Sequence, residues 1–104
     1  MSIVDDVAIR DRWVAEGKSV AAATVIEVEG TAPRPPGARM LISSTGEVVG
    51  SVSAGCVDGD VVTHAMGSLE SGESRVHSYG ISDEQAFEVG LACGGSIRVL
   101  VEPW

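Results

Sequence analysis

The core of this chain must be built from small side chains. Hydrophobic residues make up 44% of its 104 residues but aromatic residues only 4%, and 13 glycines accompany them. Valine and alanine supply most of the hydrophobic fraction, and such side chains suit a β-sheet with close backbone packing better than a bundle of bulky helices. A chain of this length corresponds to one domain.

The hydrophobic pattern predicts an α/β fold, a compact single domain with a mixed β-sheet packed by two or three helices. Apolar residues at helical spacing, such as Val61 and Ala65, indicate helices, and alternation, as at Ile97 and Val99, indicates strands. No repeat or linker interrupts residues 1–104, so we expect no second, Rossmann-type domain. Helices are predicted over 5–16, 57–70 and 82–89, and strands over 18–29, 38–43, 47–53, 75–79 and 96–102.

The charge of the chain restricts the partners that it can bind. Its formal net charge is −8, which argues against nucleic acid and anionic membranes, since both attract basic surfaces. No apolar stretch is long enough to cross a bilayer, and Asp5 and Asp6 interrupt any signal-peptide pattern. We therefore expect a cytoplasmic protein, in which cysteines are free thiols, redox groups or ligands more often than structural disulfides.

Two small-residue loops carry the only cysteines. Cys56 follows Ala54 and Gly55, and Cys93 precedes Gly94 and Gly95. Glycine lets a bound molecule approach the backbone closely, and a thiolate binds soft metals or carries sulfur. The alternative for each cysteine is a small residue that only fills space under a turn.

Cys56 stands where a predicted strand gives way to a predicted helix. The unpaired N–H groups of a helix start lower the pKa of a cysteine and attract anions. Arg34, held in a segment stiffened by three prolines, and Arg39 are candidates to clamp an anionic ligand. The alternative for either arginine is a solvated surface charge.

Four further polar residues need an interpretation. Ser53 adds a hydroxyl near the Cys56 turn, and Asp58 either complements the helix dipole or orients a ligand. His64 and His77 have no metal-binding spacing to the cysteines, so both are predicted to be structural or surface histidines.

Three ordered segments, residues 30–40, 50–58 and 90–95, resemble the XdhC/CoxI family. The family consists of maturation factors for xanthine dehydrogenase and carbon monoxide dehydrogenase. The resemblance implies that the chain binds the molybdenum cofactor (molybdopterin) and assists its sulfuration and insertion. Members usually have Gly where Ala54 stands and Glu where Asp58 stands, and they continue into a Rossmann-like domain.

The resemblance also implies a site and a set of partners. We expect an accessory protein without catalytic residues, which binds an apo-molybdoenzyme and a cysteine desulfurase. Either a separate Rossmann-domain chain joins it as a further partner, or it works alone as a small cofactor-binding module. Homo-oligomers are expected because the domain is small and its sheet edges need cover. Cys56 and Cys93 are the predicted metal ligands. The predicted cofactor-binding residues are Arg34, Gly37, Arg39, Ser53, Gly55, Cys56, Asp58, Cys93, Gly94 and Gly95.

Two other functions are consistent with the same residues. A small subunit could complete the active site of a multi-chain oxidoreductase, and its two thiols would then cycle to a disulfide. A plain interaction module could instead use its acidic surface to dock a basic partner, with the glycine loops serving only as turns.

Overall fold

The computed structural model describes residues 3–30, 35–53, 57–80 and 96–104. These residues form two helices and five strands. None of the described helices is long and apolar enough to cross a membrane. In chain order the elements are α1 (Ile3–Ala15), β1 (Val20–Glu29), β2 (Arg39–Ser43), β3 (Val48–Gly50), α2 (Asp58–Ser71), β4 (Arg75–Gly80) and β5 (Ser96–Pro103).

The five described strands form one sheet in the order β3-β2-β1-β5-β4. All four pairings among them are antiparallel, so the α/β class is confirmed but the predicted mixed sheet is not found in the described residues. The reason is the position of the α2 crossover. It joins β3 to β4, and these strands lie at opposite edges of the sheet, where they cannot pair as a parallel βαβ unit would.

The two helices pack on opposite faces of the sheet. Because successive strand residues point to opposite sides, β1 supplies Ala21 and Ala23 to the face under α2 and Ala22 to the face under α1. The α2 side holds the larger apolar cluster, which includes Val61 of α2. The α1 side is centred on Trp13, which is 1% exposed. The predicted inward stripe of β5 is confirmed, since Ile97, Val99 and Val101 are all buried.

Most predicted elements are present, and three ends differ from the prediction by two residues or more. α1 begins at Ile3 rather than residue 5. β1 begins at Val20 rather than residue 18, because Lys18 donates its backbone N–H to Trp13 and its ammonium to Glu16 and Glu47 instead of pairing in the sheet. β3 ends at Gly50, which has φ +85°, so the second hairpin strand is shorter than the predicted 47–53. The predicted helix over 82–89 lies outside the described residues.

Candidate functional site

A single carboxylate ties the segment after β3 to the start of α2. Asp58 is in the first turn of α2. Its Oδ2 accepts a hydrogen bond from Ser51 Oγ at 2.5 Å. Its Oδ1 accepts from the backbone N–H of Val52 at 3.2 Å, the N–H of Ser53 at 3.1 Å and Ser53 Oγ at 2.8 Å. Residues 51–53 are therefore fixed against the helix rather than extending the strand.

Ser53 completes this connection from the other side. Its side-chain oxygen donates to Asp58 and accepts the backbone N–H of Val57 at 2.8 Å. Val57 is the N-cap residue of α2 and has no side-chain cap of its own, so Ser53 satisfies one of the donors that a helix start leaves unpaired. Ser53 is 1% exposed, and in the described structure its hydroxyl acts within the chain.

The loop of residues 54–56 is consequently held at both ends. Its preceding residue, Ser53, and its following residue, Val57, are both buried and are joined by a hydrogen bond. Cys56 and Gly55 belong to this loop and lie outside the described residues. The structure thus describes the residues on either side of the loop, and we call residues 51–53 with Val57 and Asp58 the frame of the loop.

The charge at the start of α2 limits what this frame can bind. Asp58 and Asp60 both lie in the first turn, where their carboxylates compensate the positive end of the helix dipole and repel a second anion. Among the described residues, no group of three His, Cys, Asp or Glu is arranged to hold a metal. The start of α2 is therefore a poor site for a phosphate.

Gly37 lies where the chain returns to the sheet before β2. It has φ +92°, a conformation that favours glycine, and its N–H donates to Val25 O at 2.7 Å. A Cβ at this position would meet nothing within 4 Å. In the described structure the requirement for glycine comes from the backbone turn, and a contact with a cofactor stays a prediction.

Arg39 points to the α1 side of the sheet, away from α2. Its neighbour Met40 belongs to the cluster under α2, and alternation places Arg39 on the other face. There its Nε lies 3.2 Å from Oδ2 of the buried Asp6, and its guanidinium stacks 4.7 Å from the ring centre of Trp104. Arg39 is thus engaged with α1 and Trp104, on the opposite side of the sheet from Asp58.

The other predicted site residues lie outside the described structure. They comprise the remaining arginine and the second cysteine loop, so the proximity of the two cysteines stays a prediction. These residues are Arg34, Cys93, Gly94 and Gly95.

A groove between α2 and β4 holds a feature that the sequence prediction missed. The rings of His64 and His77 stack with their centres 3.7 Å apart and 19° between their planes. His64 Nε2 lies 3.1 Å from Asp60 Oδ2, which also accepts the hydroxyl hydrogen of Tyr79 at 2.8 Å. We call this cavity of about 420 Å³ the α2–β4 groove; its lining includes Thr63, His64, Ser68, Glu73, Arg75 and His77.

The fold and the Asp58 frame together define a small α/β domain in which residues 51–53 are bound to the start of α2. The chain belongs to the XdhC and CoxI family, whose family model matches residues 13–80. The matched region includes the loop and the whole of its frame.

Two curated relatives and one solved structure describe this family further. The chain is 37% identical over 83 residues to the molybdenum cofactor insertion chaperone PaoD of Escherichia coli (strain K12), covering 80% of this chain and 26% of that protein. It is 31% identical over 94 residues to a probable xanthine dehydrogenase subunit of Bacillus subtilis (strain 168), covering 88% and 28%. The crystal structure of a xanthine dehydrogenase from Bacillus halodurans superposes with a TM-score of 0.75 at 31% identity, covering 94% and 30%. The chain thus spans between a quarter and a third of the length of these proteins.

Proposed function

We propose that this chain is the cofactor-handling module of a maturation factor for molybdenum hydroxylases such as xanthine or carbon monoxide dehydrogenase. It would bind the molybdenum cofactor as cargo and assist its sulfuration and insertion. The observation that carries the proposal is the set of hydrogen bonds by which Asp58 and Ser53 fix both ends of the loop that bears Cys56. Family membership and the similarity to a cofactor insertion chaperone support it.

The residues divide into ligands and positioning residues. Cys56 and Cys93 would supply thiolate ligands to the molybdenum of the bound cofactor. Asp58 and Ser53 would act through the loop by keeping the backbone on either side of Cys56 in place. The phosphate of the cofactor would need a cation away from the acidic first turn of α2, and Arg34 is the residue proposed for it.

The proposed partners follow from the same role. A carrier of this cofactor must meet the apo-molybdoenzyme that receives it, and a cysteine desulfurase is the proposed source of sulfur. A separate Rossmann-domain chain is a further proposed partner, on the resemblance to the family alone. Self-association of the domain is likewise a proposal.

The experiment is cofactor retention in cells that make the molybdenum cofactor. The purified protein is analysed for molybdenum by elemental analysis and for pterin by fluorescence after oxidation. Cys56→Ala should lose most of both signals, and Asp58→Ala should lose part of them, because the loop is then no longer held. Asp11→Asn, at an exposed position on α1, is the matched control and should retain the cofactor. Equal retention by wild type and Cys56→Ala would contradict the proposal.

A second function is supported by the similarity to the probable xanthine dehydrogenase subunit of Bacillus subtilis. In that role the chain would complete a redox site and its two thiols would cycle. Mass spectrometry after mild oxidation separates the two functions. A Cys56–Cys93 disulfide within one chain without cofactor retention favours the redox role, and retention without the disulfide favours the carrier.

A further inference from the structure

The α2–β4 groove lies apart from the Cys56 loop and has the features of a ligand site of its own. It is lined by the second half of α2, from Thr63 to Ser71, together with β4, whereas the loop precedes the first turn of α2. Its volume of about 420 Å³ is within the range of small-molecule pockets. We propose that this groove binds a planar heteroaromatic ring that carries a phosphate, as a mononucleotide does.

The ring is recognised by the histidine pair. His64 from α2 and His77 from β4 both line the groove, and their nearly parallel rings form one continuous stack. Asp60 lies 3.1 Å from His64 Nε2, and it is itself held by the hydroxyl of the buried Tyr79. The stack is therefore oriented by contacts within the protein, and in the proposed complex the ring of the ligand extends it. Base–aromatic stacking of this kind accepts different bases, because every base has a π-face.

The phosphate would be recognised by Arg75, which lies two residues before His77 on β4. Among the described residues of the lining, Arg75 is the one arginine, and its guanidinium lies 2.7 Å from Glu73. Both side chains are more than half exposed, at 69% and 58%, so their ion pair contributes little and can open at little cost. A phosphate offers Arg75 a bidentate partner of higher charge than the carboxylate that it leaves.

Two serine hydroxyls of the lining form hydrogen bonds within the chain, so they do not add to the attraction of the groove for anions. Ser68 Oγ donates to Glu73 O, and Ser71 Oγ accepts the N–H of Glu73. Both hydroxyls thus fix the turn that carries Glu73 and Arg75. Since the chain is acidic overall, a free anion has no general reason to bind it, and the ring is what brings the phosphate to Arg75.

The test is calorimetric titration of the purified protein with AMP, adenosine and inorganic phosphate, together with NMR of the histidine ring protons. We expect saturable AMP binding with a dissociation constant below about 1 mM, and an upfield ring-current shift that is larger at the histidine in contact with the base than at the other histidine. His77→Ala should weaken AMP about fivefold or more, while His77→Phe, which keeps a flat ring, stays within about twofold of wild type. Arg75→Gln should weaken AMP about threefold and leave adenosine unchanged.

The matched control is Arg98→Gln, an exposed arginine on the neighbouring strand β5 that pairs with Glu27 and is not part of the groove lining. It should bind AMP like wild type. Absence of saturable AMP binding up to 10-fold above the expected constant, binding of phosphate alone as tight as AMP, or equal losses in His77→Phe and His77→Ala would each overturn the proposal. The NMR shifts use the wild-type protein, so they decide the question even if His77→Ala does not fold.

Discussion

Replacing Asp58 with alanine should detach residues 51–53 from α2 while leaving the sheet intact. The substitution removes the acceptor for the N–H groups of Val52 and Ser53 and for the hydroxyls of Ser51 and Ser53. Val52 and Ser53 are buried. The Val52 N–H would lose its acceptor without easy access to water, whereas the Ser53 N–H would keep its bond to Ser51 Oγ at 3.3 Å. With one stranded buried donor, one weakened donor and partial rehydration of the hydroxyls, we expect a loss of about 2 kcal/mol.

Asp58→Asn provides the graded comparison. The amide keeps one acceptor oxygen for the two backbone N–H groups, and the rotatable hydroxyl of Ser51 can accept from the new amide donor. We therefore expect a loss of only about 1 kcal/mol for Asn. Urea denaturation gives both values, and a fold with a typical stability of about 5–15 kcal/mol tolerates either.

Hydrogen exchange locates the effect. In Asp58→Ala the amides of Val52 and Ser53 should exchange faster by more than the change in global stability explains, because they open locally. The amide of Ala22, in the central strand, should follow only the global change. A loss below about 1 kcal/mol for Asp58→Ala, or unchanged protection at Val52 and Ser53, would refute the claim that this carboxylate holds the loop.

Three further perturbations test other parts of the fold. The hydrogen bond from Lys18 lowers the pKa of the Glu47 carboxyl below 4.5. Wild type should therefore be more stable than Glu47→Gln at pH 6, and this difference should disappear as the pH falls through the lowered pKa. An equal difference in stability at pH 2 would contradict this. Tyr79→Phe removes the 2.8 Å hydrogen bond to Asp60 and should lower the free energy of unfolding, measured by urea denaturation, by about 1 kcal/mol. An unchanged free energy would show that this bond does not stabilise the fold. Trp13→Ala should cost about 3–5 kcal/mol by the same method, since Trp13 is 1% exposed; a loss under 1 kcal/mol would show that this face is not packed as described.

The strands and α2 can be predicted because their apolar residues recur with the period of one element. Val61 and Ala65 mark the buried side of α2, and Ile97 and Val99 mark that of β5. The pattern is less informative for α1, where Val7 and Val14 fit a helical stripe but are 40% and 51% exposed. Because α1 covers only part of the sheet face, it buries Trp13 and leaves Val7 and Val14 exposed to water.

The polar site can be predicted only in part, because hydrogen bonds and ring contacts depend on the tertiary arrangement. Ser53 and Asp58 stand out by their closeness to Cys56 in the sequence, but that closeness does not show that they bind each other. The side of the sheet to which Arg39 points follows from its register, which the sequence alone does not fix. His64 and His77 are far apart along the chain, and only the return of β4 beneath α2 makes them neighbours.

The three consecutive alanines of β1 let both helical layers approach the centre of the sheet closely. Ala21, Ala22 and Ala23 are fully buried, and they separate one helical layer from the other with nothing larger than a methyl group on either side. Enlarging one of them would push a layer outward and shift everything that the layer carries, including the start of α2. Variation among related sequences should therefore be concentrated at the rims of the sheet, while this central position accepts almost no increase in volume.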